Sequence, residues 1–338
     1  MKMNMNKWIS DIKEARIKKA TPILSFPSIQ LLGIDVKELI SSSDLQAKGM
    51  KAVADRTDAW AAVSMMDLSV EAEAFGSTIR FSSDEVPTVI GSIIENEEQA
   101  QALRIPSVGD GRTGLYIEAI EKACKLITDR PVFAGAIGPF SLTGRLFDVS
   151  EAMIYCYDEP DMVHTVLSKV TKFIISYLNG YKAVGANGVV IAEPLAGLLT
   201  PALNEEFSAE YVKQIVEAVQ TDEFAVIYHN CGGGTPKMVN EIIEIGAMAY
   251  HFGNAIDMKE MIDLIPSDIA VMGNIDPAGQ LRSGTPESIR DAVFTLLEKC
   301  HTHNNFIISS GCDIPPMTPW ENIDAFFKAV ADFYSGIK

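Results

Sequence analysis

The chain has 338 residues, 47% of them hydrophobic and 22% charged, which allows a large core and excludes a disordered polymer. Its formal net charge is −17, from 28 basic against 45 acidic residues, a balance that disfavours binding to a nucleic acid or an anionic membrane surface, both of which need clustered Lys and Arg. Five widely spread cysteines, an odd number in a long chain, do not form a disulfide framework; they fit a reducing cytosol in which thiols stay available for a metal.

Residues 1–8 lack the apolar centre of a signal peptide. No apolar run approaches the roughly 18 residues of a membrane span. The expectation is therefore a cytoplasmic protein that opens with a helical extension over residues 1–20. Candidate strands follow at 22–27 and 59–65. The stretch 75–111 fits the later pattern less well, and its runs 78–81 and 85–90 are expected to pair as a hairpin inserted after the second strand. From there short β-branched runs alternate with helical stretches: strands at 131–137, 188–192, 224–229, 247–252, 269–275 and 306–310, with helices near 141–157, 161–184, 204–220, 236–245, 258–264, 287–300 and 319–333. The helix at 287–300 carries a clear start signal, Thr285 as cap and Pro286 at the first position. Eight strands separated by helices imply parallel pairing with right-handed crossovers. The fold class read from this pattern is α/β, a (β/α)8 TIM barrel forming a single domain over residues 1–338.

Barrel enzymes build their sites at the C-terminal ends of the strands. Here those ends carry Ser28, Asp67, Glu193, His229 with Cys231, His251 with Asn254, Asn274 with Asp276, and Cys312 with Asp313. His229 and Cys231 follow one apolar run and Cys312 follows another, so one imidazole and two thiols can converge on one ion. Thiolate and imidazole together suit Zn²⁺, whose catalytic sites use three protein ligands and keep a fourth position open. The H-x-C spacing is too tight for a zinc finger. Cys124, Cys156 and Cys300 fall on helices and read as core thiols, while His301 and His303 lie in a polar loop. Gly232, Gly233 and Gly234 are not followed by the Lys-Ser/Thr of a phosphate loop; their expected role is to let backbone approach closely. Glu193 reads as a fourth zinc ligand, a general base or a paired carboxylate. His251 reads as a satisfied core imidazole or a donor to the pocket, and the Asn274–Pro277 segment as a turn or a pocket wall.

Several longer segments resemble one family: 138–145 (GPFSLTGR), 272–277 (MGNIDP), 284–287 (GTPE), 311–316 (GCDIPP) and 319–322 (PWEN). They are similar to the uroporphyrinogen decarboxylase superfamily, and more narrowly to its methylcobamide:coenzyme M methyltransferase branch, over about residues 20–335. The resemblance implies a barrel in which His229, Cys231 and Cys312 bind zinc. It implies a methyl group moved between a corrinoid and a small thiol such as coenzyme M, the substrate sulfur taking the open zinc position. Glu193 is then a displaceable fourth ligand or a base, and Asn254, Asn274, Asp276 and His251 are candidates for holding the substrate. The chain has no D-x-H-x-x-G segment to ligate cobalt, so the corrinoid is expected on a partner protein, with self-association left open. The alternatives are a methoxylated or methylamine donor, or tetrahydrofolate as acceptor. Further back stand a uroporphyrinogen decarboxylase and a non-catalytic platform for a corrinoid protein. The decarboxylase branch opens with an arginine-rich segment, and residues 21–30 contain no Arg.

Overall fold

The computed structural model describes residues 3–337. In chain order its strands are β1 (Ala62–Val63), β2 (Thr78–Arg80), β3 (Thr88–Ile90), β4 (Val132–Ile137), β5 (Gly188–Ala192), β6 (Ala225–Asn230), β7 (Ala249–Phe252), β8 (Ala270–Ile275) and β9 (Phe306–Ser310). Strands β1, β4, β5, β6, β7, β8 and β9 pair in that order, every pair parallel, as a curled seven-stranded sheet with helices outside. This is the TIM-barrel-like α/β architecture expected from the alternating pattern.

The first candidate strand, 22–27, does not form a ladder. Pro22 and Pro27 have no N–H to donate. Ile23 N–H donates to the Ser310 hydroxyl at 3.1 Å rather than to a carbonyl, and the Ser309 hydroxyl donates to Thr21 O at 2.8 Å. Two backbone bonds complete the link: Thr21 N–H to Ile308 O at 3.0 Å and Trp60 N–H to Ala20 O at 3.3 Å. The segment thus bridges β9 and the residues leading into β1, with serine side chains replacing part of the missing ladder.

Alternation along the strands sorts side chains into two layers. Phe133, Val190, Ile227, Ala249, Met272 and Ile307 form an inner cluster, and the helix Met5–Glu14 adds Met5, Trp8, Ile9 and Ile12 to it. The N-terminal extension therefore packs against the barrel interior. The outer layer faces the helices, among them Pro160–Ala183, whose Val163, Val166, Leu167, Val170, Phe173 and Ile174 are all fully buried.

The insertion holds the expected hairpin, shorter than the sequence suggests: β2 and β3 pair antiparallel, Thr78 opposite Ile90. Helical boundaries differ in three places. The stretch 141–157 is two helices, Pro139–Phe147 and Val149–Asp158, broken at Asp148, whose φ is 109° and whose carboxylate caps the second helix through Ser150 N–H. The stretch 204–220 contains a π-helical turn, Glu205–Ala209, before Glu210–Val219. A second π turn, Pro277–Arg282, directly follows β8 where no helix was expected. The Thr285 cap is a full capping box with Ser288, starting Pro286–Cys300. Among the described residues no helix is long and apolar enough to cross a membrane.

Candidate active site

His229 is the fifth residue of β6 and stands in register with Ala192 of β5 and His251 of β7. It is 1% exposed. Its Nδ1 lies 2.8 Å from His251 Nδ1 and 3.2 Å from His251 O, while His251 Nε2 lies 2.8 Å from Ser309 Oγ. His229 Nε2 is buried with no hydrogen-bond partner. Burial pushes His229 down to about 4 and His251 well below the usual imidazole range, so both rings are neutral near pH 7.

The chain turns immediately past β6. Asn230 Oδ1 accepts from Gly232 N–H at 3.0 Å and from the Thr235 hydroxyl at 3.0 Å, which folds the glycine run back over the strand end. Glycine is required here by contact: a Cβ on Gly232 would stand 2.4 Å from Gly197 Cα, and one on Gly253 would stand 2.3 Å from Cys231 Cβ. The loops after β5, β6 and β7 therefore meet backbone to backbone around Cys231. On the other side, Gly311 N–H donates to Ile275 O at 2.6 Å and Ile314 N–H to Ile23 O at 3.0 Å, fixing the turn that carries Cys312.

Cys231, Cys312 and His229 line one cavity of about 410 Å³. Its remaining wall includes Phe26, Met66 and Pro194, with Asp84, Glu85, Val86 and Thr88 from the inserted hairpin. Arg282 and Asp313 complete the polar lining. Burial, with Cys231 beside it, pushes the Cys312 thiol up to about 12, and burial raises Cys231 as well. Both are thiols rather than thiolates until a cation offsets the charge. As the side chains are placed, no group of three His, Cys, Asp or Glu among the described residues is gathered tightly enough to hold a metal ion. The donor types nonetheless fit zinc: one neutral imidazole nitrogen without a partner and two thiols, on the wall of one cavity.

The other sequence candidates lie elsewhere. Glu193 is fully buried, and its oxygens are taken by the start of the helix Pro139–Phe147: Oε1 accepts from Phe140 N–H at 2.8 Å, and Oε2 from Ser141 N–H at 3.0 Å and its hydroxyl at 2.7 Å. A carboxylate there is held by the positive end of a helix. Burial still lifts Glu193 to about 7. Asn254, Asn274 and Asp276 line a second cavity of about 350 Å³, on which neither thiol opens. Asn274 Nδ2 donates to Gly253 O and Ile256 O, and Asp276 Oδ1 accepts from Ala278 and Gly279 N–H. His251 lies behind His229 rather than on the cavity wall. Sequence reasoning missed the hairpin wall and Arg282. The inserted length of 75–111 signalled the hairpin, whereas Arg282 ends the π turn after β8 and had no signal in the sequence.

A parallel α/β barrel with an imidazole and two thiols collected at its strand ends is the framework of a barrel enzyme with its site at the C-terminal face. The chain belongs to the uroporphyrinogen decarboxylase (URO-D) family, whose profile matches residues 18–333. Members of this family are enzymes, either decarboxylases or methyltransferases. The chain is 28% identical over 286 residues to a uroporphyrinogen decarboxylase of Coxiella burnetii (81% of this chain, 77% of the relative). It is 27% identical over 276 residues to a methylcobamide:CoM methyltransferase of Methanosarcina acetivorans (79% and 78%). In three dimensions it is similar to a methyltransferase from Methanosarcina mazei, with a TM-score of 0.85 at 22% identity and 98% of each chain covered.

Proposed function

We propose that this chain is a zinc-dependent methyltransferase that moves a methyl group between a corrinoid carried by a partner protein and a small thiol such as coenzyme M. The carrying observation is the meeting of His229, Cys231 and Cys312 on one cavity, with the imidazole Nε2 uncommitted. These three would hold the zinc. When bound, zinc supplies the positive charge that keeps a substrate sulfur deprotonated near neutral pH.

The chain's own part is to position and to exclude water. Phe26, Met66, Val86 and Ile314 give the cavity an apolar wall. Arg282, exposed at its rim, is the cationic side chain available to an anionic substrate tail. Glu193 is assigned to anchoring the helix Pro139–Phe147 against β5 rather than to ligation. Asn254 is assigned to the Cys312 turn, because a Cβ on Gly311 would stand 2.7 Å from Asn254 N. Asn274 and Asp276 shape the turn after β8 beside it.

Electrostatics favour this reading over decarboxylation of uroporphyrinogen, a substrate with several carboxylates. Arg282 faces that cavity together with the carboxylates of Asp84 and Glu85. One guanidinium offset by two carboxylates is a poor match for a polyanion.

Metal content of protein purified without chelators, measured beside methylcobalamin demethylation with 2-mercaptoethanesulfonate or homocysteine, tests the reading. About one zinc per chain with thiol-dependent demethylation is expected. Zinc without thiol turnover would move the assignment to a methoxylated or methylamine donor or to a folate acceptor. Absence of zinc would overturn it.

A further inference from the structure

We infer that His251, Ser309 and the carbonyl of Thr21 form a positioning chain that fixes the tautomer of His229, leaving Nε2 bare for the metal. The inference rests on His229 being a zinc ligand. Four groups from four segments stand in line: Thr21 O in the closing segment, Ser309 Oγ on β9, the His251 ring on β7 and the His229 ring on β6. Every junction is 2.8 Å, and all three side chains are at most 1% exposed.

The direction of the protons follows from the ends. Thr21 O can only accept, so Ser309 gives it its single proton. The Ser309 oxygen then accepts from His251 Nε2–H, which leaves Nδ1 of a neutral His251 bare. That nitrogen accepts from His229 Nδ1–H, a proton that also leans on the pure acceptor His251 O at 3.2 Å. The lone pair of His229 is thereby placed on Nε2, the nitrogen without a partner. Running the chain the other way would take the donors from both carbonyls and leave a buried Nε2–H with nothing to bind, at a cost of about 1–3 kcal/mol per unpaired group. Partners behind a ligating imidazole commonly fix its tautomer in this manner. Here the partner is a second imidazole, oriented by a serine that belongs to the barrel-closing strand.

The test uses the full chain labelled with ¹⁵N-histidine and freed of metal. A long-range ¹H–¹⁵N spectrum is expected to show His229 protonated on Nδ1 and bare on Nε2, and His251 the reverse. Ser309→Ala should blend the two tautomers of His229 and weaken zinc binding, read by chelator competition, by about 10- to 100-fold. Ser309→Thr, which keeps the hydroxyl, should restore both. A wild-type spectrum with the proton on His229 Nε2 overturns the inference, and so does a folded Ser309→Ala variant with unchanged tautomer and zinc affinity. If Ser309→Ala fails to fold, the wild-type spectrum alone decides. The predicted tautomers in a wild-type protein that binds no zinc would leave the chain standing and remove the metal reading instead.

Discussion

Asp313 Oδ2 accepts from the backbone N–H of Met66 at 2.7 Å, joining the turn that carries Cys312 to the loop after β1. Strands β1 and β9 are the two ends of the sheet order, so this bond closes the barrel mouth just as Thr21 and Ile308 close it lower down. Asp313→Ala would leave the Met66 N–H without its acceptor in a buried setting. The expected loss is about 1–3 kcal/mol in chemical denaturation. Asp313→Asn keeps an acceptor oxygen and should recover most of it; equal losses in the two variants would show that the bond contributes nothing.

Replacing a thiol on the cavity wall tests the metal set directly. Cys312→Ser should lose most bound zinc, because a hydroxyl is a poor ligand in place of a thiolate. Cys231→Ser should do the same, while Cys300→Ser, on a helix and fully buried, should retain it. Metal analysis after dialysis reads the result, and a normal zinc content in Cys312→Ser would remove that residue from the set.

Glu193 is held by three donors at a helix start, so its replacement should act on stability first. Glu193→Gln should lower the melting temperature and leave the zinc X-ray absorption edge unchanged. An altered edge in that variant would return Glu193 to the coordination sphere.

Glu71 gives a pH signature away from the cavity. Its Oε1 accepts from Ile137 N–H at 3.0 Å, its Oε2 has no partner, and burial lifts the group from 4.5 to about 8. Between those values the folded protein keeps the proton while the unfolded chain has released it. The stabilisation is complete below about 4.5 and is lost as pH rises through about 8, at 1.36 kcal/mol per unit of difference. Glu71→Gln should flatten the fall in stability between pH 6.5 and 9. Residual slopes from Asp313, also raised to about 8, and from Glu193, raised to about 7, should persist. His229 and His251 act with the opposite sign, removing stability as pH falls below the ordinary imidazole value of 6.5, and that window lies outside the measurement. Identical slopes in wild type and Glu71→Gln would contradict the assignment.

Backbone contact around Cys231 makes Gly253 a sensitive position. Gly253→Ala drives a methyl group into the Cys231 backbone and Cβ, none of which can swing away. Zinc binding should weaken far more than in Gly246→Ala, where a Cβ meets no atom within 4 Å and only the backbone conformation is strained. Comparing zinc affinity between the two folded variants separates crowding at Cys231 from a general effect of losing a glycine.

The pattern of short apolar runs between amphipathic stretches was sufficient for seven of the eight expected barrel strands and for the inserted hairpin, because burial on both faces and helical periodicity are written locally in residue type. The kinds of donor at strand ends were equally legible, since soft ligands are recognisable one residue at a time. Which of the remaining strand-end candidates open on the cavity of His229, Cys231 and Cys312 was not. Glu193 and Asn274 look in sequence like site residues, yet their polar atoms are taken by the backbone of Phe140, Ser141, Gly253 and Ile256, contacts between segments that only folding brings together. The same holds for the free nitrogen of His229: its identity depends on His251, Ser309 and Thr21, three residues on three other segments. Local composition determines which chemical groups a chain carries to one end of a barrel. Their orientation and protonation are decided by long-range hydrogen bonds, whose partners are fixed by packing and leave no periodic trace in the sequence.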